Sequence, residues 1–446
     1  MKKVMKISVI SLCLITAPYF IWFASHGQNI AQKENIPSTF KGKILAASDA
    51  DMIGGAYANG ELNKVAGIED SLALIEVING KPQVVSSIHG SNSVISWPAI
   101  LDYNLESSLA YLAETRAVYK GEEQKMKNVF QDFPEGRKIT VIDYGDHRKP
   151  KVVQEKNIGE NIQGVSLNKN GTLLTAGSTE KGKELIVSTL TQGKINQSFY
   201  FTHPAIKPAD DGNSGIRTVE FHPSENIIAA NLNNTHLIFF KISEDDNKVI
   251  AEPIGEPVEV AKKWSAGNWH PNGKYFILTD VAWGNGTLGF LFHGKGKLVS
   301  VKMDSQGGHE IVSKVKVGLS PEGTDISPDG RYAVTVNMRR TWAPPKGFWF
   351  VPAKKYSSLS LIKIDPSTGE LTKLEGGYGF EGALPEDAIF DSESNSLAVT
   401  IYHYREELNP EYGQIDFWEL KNDQLINTGT SISVTRGVHN LLLVNP

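Results

Sequence analysis

The chain has 446 residues, 45 basic and 50 acidic side chains, a formal net charge of −5 and a hydrophobic share of 40%. That share supplies packed cores, and a charged fraction of 21% is too low and too mixed in sign for a disordered chain. The acidic balance argues against a nucleic-acid partner, whose phosphates call for a basic surface.

At the N-terminus, Lys2, Lys3 and Lys6 precede an apolar run over residues 7–24 that is interrupted by Pro18. Its length falls between a signal h-region and a full membrane span of ~20 residues. Two readings stand: a cleaved signal, with Ala24, Ser25, Gly27 and Ala31 as small residues near the cut, or an uncleaved anchor. Either places the body outside the cytoplasm, periplasmic or secreted, because the lysines stay inside. Residues 1–31 are therefore expected to be signal peptide or anchor, 32–42 a linker and 43–446 the folded domain. The single cysteine, Cys13, lies within the apolar run, so the body has no disulfide, thiolate metal site or cysteine nucleophile.

The body is repetitive. A unit of apolar strand, polar turn and apolar strand recurs at residues 101–111, 165–174, 219–228, 269–276, 326–333 and 390–397. Its turns are written in Pro, Asp or Asn, and Gly, as in Ser327-Pro328-Asp329-Gly330. Pro presets one φ angle, Asp or Asn bonds its own backbone, and Gly supplies positive φ. A second strand–turn–strand unit starts at 72–77, 139–143, 185–188, 237–241, 298–302, 359–365 and 415–420, so seven second units stand against six first units. The missing inner strand is expected at 438–444, paired with the unmatched strand that starts at Lys43. The chain ends then close a ring, which removes open sheet edges. A period of roughly 50 to 65 residues fits a four-stranded blade. The predicted fold is all-β, a seven-bladed β-propeller closed between the C-terminal strand and the N-terminal blade.

The stretch Ile326-Ser327-Pro328-Asp329-Gly330-Arg331-Tyr332, with Ile364-Asp365-Pro366-Ser367-Thr368-Gly369-Glu370-Leu371 after it, resembles the blade signature of lactonase-type and YVTN-type seven-bladed propellers. The resemblance covers nearly all of the chain after about residue 43. It implies the propeller fold and, as one functional expectation, a lactonase-like hydrolase or isomerase acting on a lactone or related organic acid at the channel mouth. In such propellers an Arg followed by His often occupies the rim of an inner strand; here Arg217 is followed by Thr218.

Aligning the inner strands places Gln163, Arg217, Glu322 and Glu386 at one rim position, with His439 and Asn440 in the closing blade. Arg217, Glu322, Glu386 and His439 are the catalytic candidates: a Glu as general base, and Arg217 on a substrate carboxylate or oxyanion. The other reading of the same set is a ring of ion pairs tying the blades together. The long loops over 115–137, 203–215, 281–296, 338–357 and 402–412 carry aromatics and cations. From them Arg339, Arg340, Trp342, Trp349, His403 and Arg405 join Gln163 and Asn440 as binding candidates. The alternative use of such rings is to pin the loops against their neighbours. The leading expectation is thus an exported propeller that binds a small polar ligand or a protein partner on its loop-rich face, touching membrane only through an N-terminal anchor. No cofactor or metal is expected: there is no Gly-rich phosphate loop, nucleophile elbow or zinc helix, and Asp210-Asp211-Gly212-Asn213 lacks the rest of a calcium loop.

Overall fold

The computed structural model of the protein describes residues 29–207, 214–246, 248–283, 294–343, 355–403 and 411–444. The repeated strands form seven antiparallel sheets. Blades 2 to 7 start on the inner strands Leu101–Asn104, Ile162–Leu167, Ile216–Phe221, Trp264–Trp269, Pro321–Ile326 and Ala388–Phe390. Blade 1 is built from both chain ends: Val438–Leu443 pairs with Lys43–Ser48, Ile44 facing Leu443, followed by Ser71–Ile78 and Lys81–His89. The closure expected from the unequal count of repeat units is therefore the closure observed. Among the described residues no helix is long and apolar enough to cross a membrane.

Each blade is buried on both faces by its neighbours. That is why its middle strands read as continuous apolar runs, such as Leu237-Ile238-Phe239-Phe240, rather than alternating ones. Between blades 4 and 5, Phe239, Trp264, Trp269 and Phe276 pack at ring-centroid distances of 5.4 to 5.7 Å. Blade 6 departs from the pattern. Its strand Tyr356–Ile364 pairs with Leu371–Lys373 and again with Tyr378–Glu381, because the outer edge breaks at residues 374–377, which include Gly376 and Gly377.

The segment before blade 1 is laid on the ring. Ala31 donates to Gly379 O in blade 6, Glu34 and Ile36 donate to Asn427 O and Thr428 O in blade 7, and Ser38 donates to Gly80 O in blade 1. Gly80 has φ of 75°, and a Cβ there would lie 2.4 Å from Pro37. Residues expected to form a linker thus run along the outer edges of blades 7 and 1, and Ala31, expected to end the signal or anchor, pairs with the edge of blade 6.

At the centre, a hydrogen bond crosses every junction between adjacent inner strands. Asp102 accepts from Leu167 N at 2.6 Å, Ser166 from Phe221 N at 3.0 Å, Asp325 from Phe390 N at 2.7 Å and Asp387 from Leu441 N at 2.8 Å. Asn440 Oδ1 accepts from Ile100 N, Asn268 Nδ2 donates to Thr324 O, and Trp269 Nε1 donates to Glu220 O. A second apolar cluster lies apart from the sheets, under the loops of blades 1, 2, 6 and 7, and includes Met52, Val94, Phe133, Met338, Trp342 and Tyr402.

Candidate functional site

The rim positions sit where the inner strands are irregular. Register shifts fall between Gln163 and Val165, Ile216 and Val219, Trp264 and Gly267, and Pro321 and Thr324. A bulge repeated at one level re-aims the side chains there and cancels simple alternation along the strand. The face of Arg217 therefore does not follow from counting forward to Val219.

Two of these rim residues meet. His439 Nδ1 lies 3.9 Å from Glu386 Oε2, and both side chains are almost fully buried, at 0% and 4% exposure. Among the described residues neither atom has a hydrogen-bond partner, and the separation is too long for a direct bond. On its other side, His439 Nε2 stands 2.8 Å from Asn92 Oδ1. Glu386 is held by its backbone: Thr400 Oγ1 accepts from the N–H groups of Glu386 and Asp387 and donates to Asp387 O.

Burial dominates the electrostatics. It pulls the His439 imidazole down to about 3, so the ring is neutral at ordinary pH. It pushes Glu386 well above the carboxylate range, helped by the nearby charges of Glu322, Asp49 and Asp387. Glu322 is buried too and is raised to about 8, with Lys263 pulling the other way. Lys263 lies over the Trp283 and Trp97 rings at 5.3 and 6.0 Å. Tyr57, whose phenol is raised by burial and then by Glu386, Tyr402 and Glu322, donates to Val94 O at 3.1 Å. Tyr402 reaches Asp49 O and Met52 O. Among the described residues, the channel mouth thus gathers two acids that resist ionisation, a neutral imidazole, two phenols and a lysine.

The remaining predicted residues take other roles. Arg217 stands on the same rim in blade 4, partly buried. Gln163 is buried and donates to Asn161, with its Oε1 unpartnered. Asn440 is committed to the junctions of blade 1, donating to Asp387 and accepting from Ile100 N. Trp342 is buried in the loop cluster. Arg339, at φ of 59°, donates to Tyr356 O and is lowered to about 10 by burial and then by Arg340, which burial lowers as well. His403 Nε2 accepts from Gly54 N at 2.9 Å. Trp349 and Arg405 lie outside the described residues, as do residues 210–213 and the apolar run 7–24. Asn92, Tyr57 and Lys263 are additions that strand alignment does not reach: they come from connections rather than repeat units, and no sequence signal marks them.

Two further features are chemically notable. Oxygens of Asp49, Asp51 and Asp70 lie within 4.8 Å of one another, a spacing suited to a cation. Each carboxylate also accepts backbone N–H groups, from Val94 and Asp51, from Tyr119, and from Ala50 and Asn92. Along the channel, a cavity of about 230 Å³ is lined by Asp102, Glu220, Asp325, Asp387, Asn268 and Asn440. Burial raises Asp102 to about 6 and Asp325 and Asp387 to about 7.

Fold and site together define a closed seven-bladed propeller with a polar channel mouth. Among solved structures, the chain is similar to two proteins provisionally named 6-phosphogluconolactonases, from Bacteroides uniformis and Bacteroides fragilis. Each has a TM-score of 0.61 at 14% identity, over 91% of this chain and 99% and 98% of theirs. A periplasmic gluconolactonase of Pseudomonas aeruginosa matches with a TM-score of 0.59 at 13% identity, over 91% of this chain and 99% of its own. The chain therefore shares the seven-bladed fold of these lactonase-named proteins, as the blade signature implied. No protein-family model matches the sequence, and no curated protein matches it at a significant level.

Proposed function

We propose that the protein is an exported lactonase-like hydrolase that opens a lactone ring with water at the loop-bearing end of its channel. The observation that carries this reading is the Glu386–His439 pair, two buried unpartnered atoms 3.9 Å apart on the rim. That separation suits one water oxygen about 2.8 Å from each atom. When Glu386 is ionised, such a water gives one hydrogen to Glu386 Oε2 and the other to His439 Nδ1, which leaves its lone pairs free to attack. As the oxygen bonds to the lactone carbonyl carbon, its proton passes to Glu386. The ring C–O bond then breaks, and the departing alkoxide takes that proton, leaving a hydroxy acid. A carboxylate raised by burial is a stronger base once ionised, which favours the first transfer.

The likeness to a gluconolactonase supports the substrate class, while the leading loop-face binding reading loses Trp342 as an anchor because that ring is buried. Export follows from the basic and apolar start of the chain; a reporter enzyme active only outside the cytoplasm, fused after Pro446, should be active, and a silent, stable fusion would refute export. The hydrolase reading is tested by a screen of γ- and δ-lactones followed by acid release, with the uncatalysed rate subtracted. Turnover should climb as pH rises, because Glu386, held well above the ordinary carboxylate range by burial and by the nearby acids, must lose its proton before it can act as base. Absence of turnover on every lactone at every pH would refute the reading.

A further inference from the structure

Asn92 stands behind His439 in the connection between blades 1 and 2, at 1% exposure. Its Nδ2 donates to Ser48 O at 3.0 Å and to Gly90 O at 2.8 Å. Both partners are backbone carbonyls, which only accept, so reversing the amide would set Oδ1 against two carbonyl oxygens. Asn92 N–H donates to Asp70 Oδ2 at 3.1 Å, which fixes the backbone as well. The atom left facing His439 Nε2, at 2.8 Å, is therefore the carbonyl oxygen Oδ1. A carbonyl oxygen cannot donate, so the hydrogen in that bond belongs to Nε2.

From this geometry we infer that Asn92 is a positioning residue: it fixes His439 as the Nε2–H tautomer and leaves Nδ1 as a bare acceptor aimed at Glu386. Burial supports the assignment by keeping the ring singly protonated. The acidic groups around it are Glu386 across the gap, with Asp387, Asp49 and Glu322 acting on Glu386, and Asp70 behind Asn92. The opposite tautomer would place an N–H toward Glu386, and a water in the gap would then have only one acceptor. The kinetic part of this inference rests on the hydrolase reading; the tautomer itself does not.

The test is nitrogen-15 NMR of the full-length chain labelled at histidine, with His439 assigned by its loss in His439→Gln. The expected spectrum has a protonated-type Nε2 and an unprotonated-type Nδ1 for His439. In Asn92→Leu, both nitrogens should move toward averaged values, and lactone turnover should fall about 10- to 100-fold in kcat with little change in KM, the scale at which orienting partners act. A protonated Nδ1 in the wild type, or His439 shifts unchanged in a folded Asn92→Leu, would overturn the inference. If Asn92→Leu does not fold, the wild-type spectrum alone decides. Shifts as expected without turnover of any lactone would leave the positioning role standing and remove the hydrolase reading; turnover with Nδ1 protonated would do the reverse.

Discussion

Asp387 offers a perturbation whose effect changes with pH in a calculable way. It is 5% exposed at the seam between blades 7 and 1. Its Oδ2 accepts from Asn440 Nδ2 at 2.7 Å and Leu441 N at 2.8 Å, and its Oδ1 from Ala388 N at 2.9 Å. Burial raises its carboxyl from the ordinary 3.8 to about 7 despite these bonds. Between those values the folded protein keeps a proton that the unfolded chain has released. The stability contributed by that proton is whole below pH 4 and is lost as pH rises through 7. A shift of about 3 pKa units corresponds to about 4 kcal/mol. Asp387→Asn does not titrate; it also removes a charge that helps raise Glu386, which eases the ionisation of Glu386 and favours the variant further at high pH, while acids that Asp387 does not influence cancel when variant and wild type are compared. At pH 4.5 the variant should be weaker by about 1–2 kcal/mol, because its amide cannot accept from all three donors. By pH 8.5 the difference should have moved by about 3 kcal/mol in the variant's favour, reversing the order. Urea unfolding followed by tryptophan fluorescence at both pH values measures this. A difference between the two proteins that does not change with pH would refute the claim that burial holds this proton on.

Gly437 has φ of 82°, and a Cβ there would lie 1.6 Å from Asp49 O. Gly437→Ala at the closing seam should therefore cost about 3 kcal/mol or more, and an unchanged unfolding midpoint would contradict it. Trp342→Ala removes a buried ring from the loop cluster and should cost about 3–5 kcal/mol; a wild-type midpoint would mean that the cluster does not hold the loops.

The ring was legible because its signal is repeated. The turn Ser327-Pro328-Asp329-Gly330 and its counterparts mark each inner hairpin, and the orphan strand at 438–444 has only one place to go. The rim register came with the repeat, so Glu386 and His439 were found by alignment, and the structure brings them together. The orientation of His439 was not legible, because the register shift between Ala47 and Ser48 opposite it breaks the alternation on which such a reading depends, and the shifts at Ile216/Val219 and Pro321/Thr324 do the same for Arg217 and Glu322. Asn92, Tyr57 and Lys263 were missed for a different reason. They lie in connections with no periodicity, and their positions follow from long-range contacts such as Asn92 with Ser48 and Lys263 with Trp97 and Trp283. Residues 32–38 were read as linker, and 29–31 as the end of the signal or anchor, because backbone pairing to the distant Gly379 and Asn427 leaves no trace in their composition.

The proposed hydrolysis requires that the Glu386–His439 pair act on substrate. The direct measurement is the steady-state rate of lactone hydrolysis for the wild type, Glu386→Gln and His439→Gln, with folding of each checked by its unfolding midpoint. Loss of a general base costs about 10²- to 10⁴-fold, so kcat should fall by that order in Glu386→Gln and the alkaline rise should disappear. His439→Gln should also lower kcat, by a smaller factor. Folded variants that hydrolyse the same lactone at the wild-type rate would contradict the account.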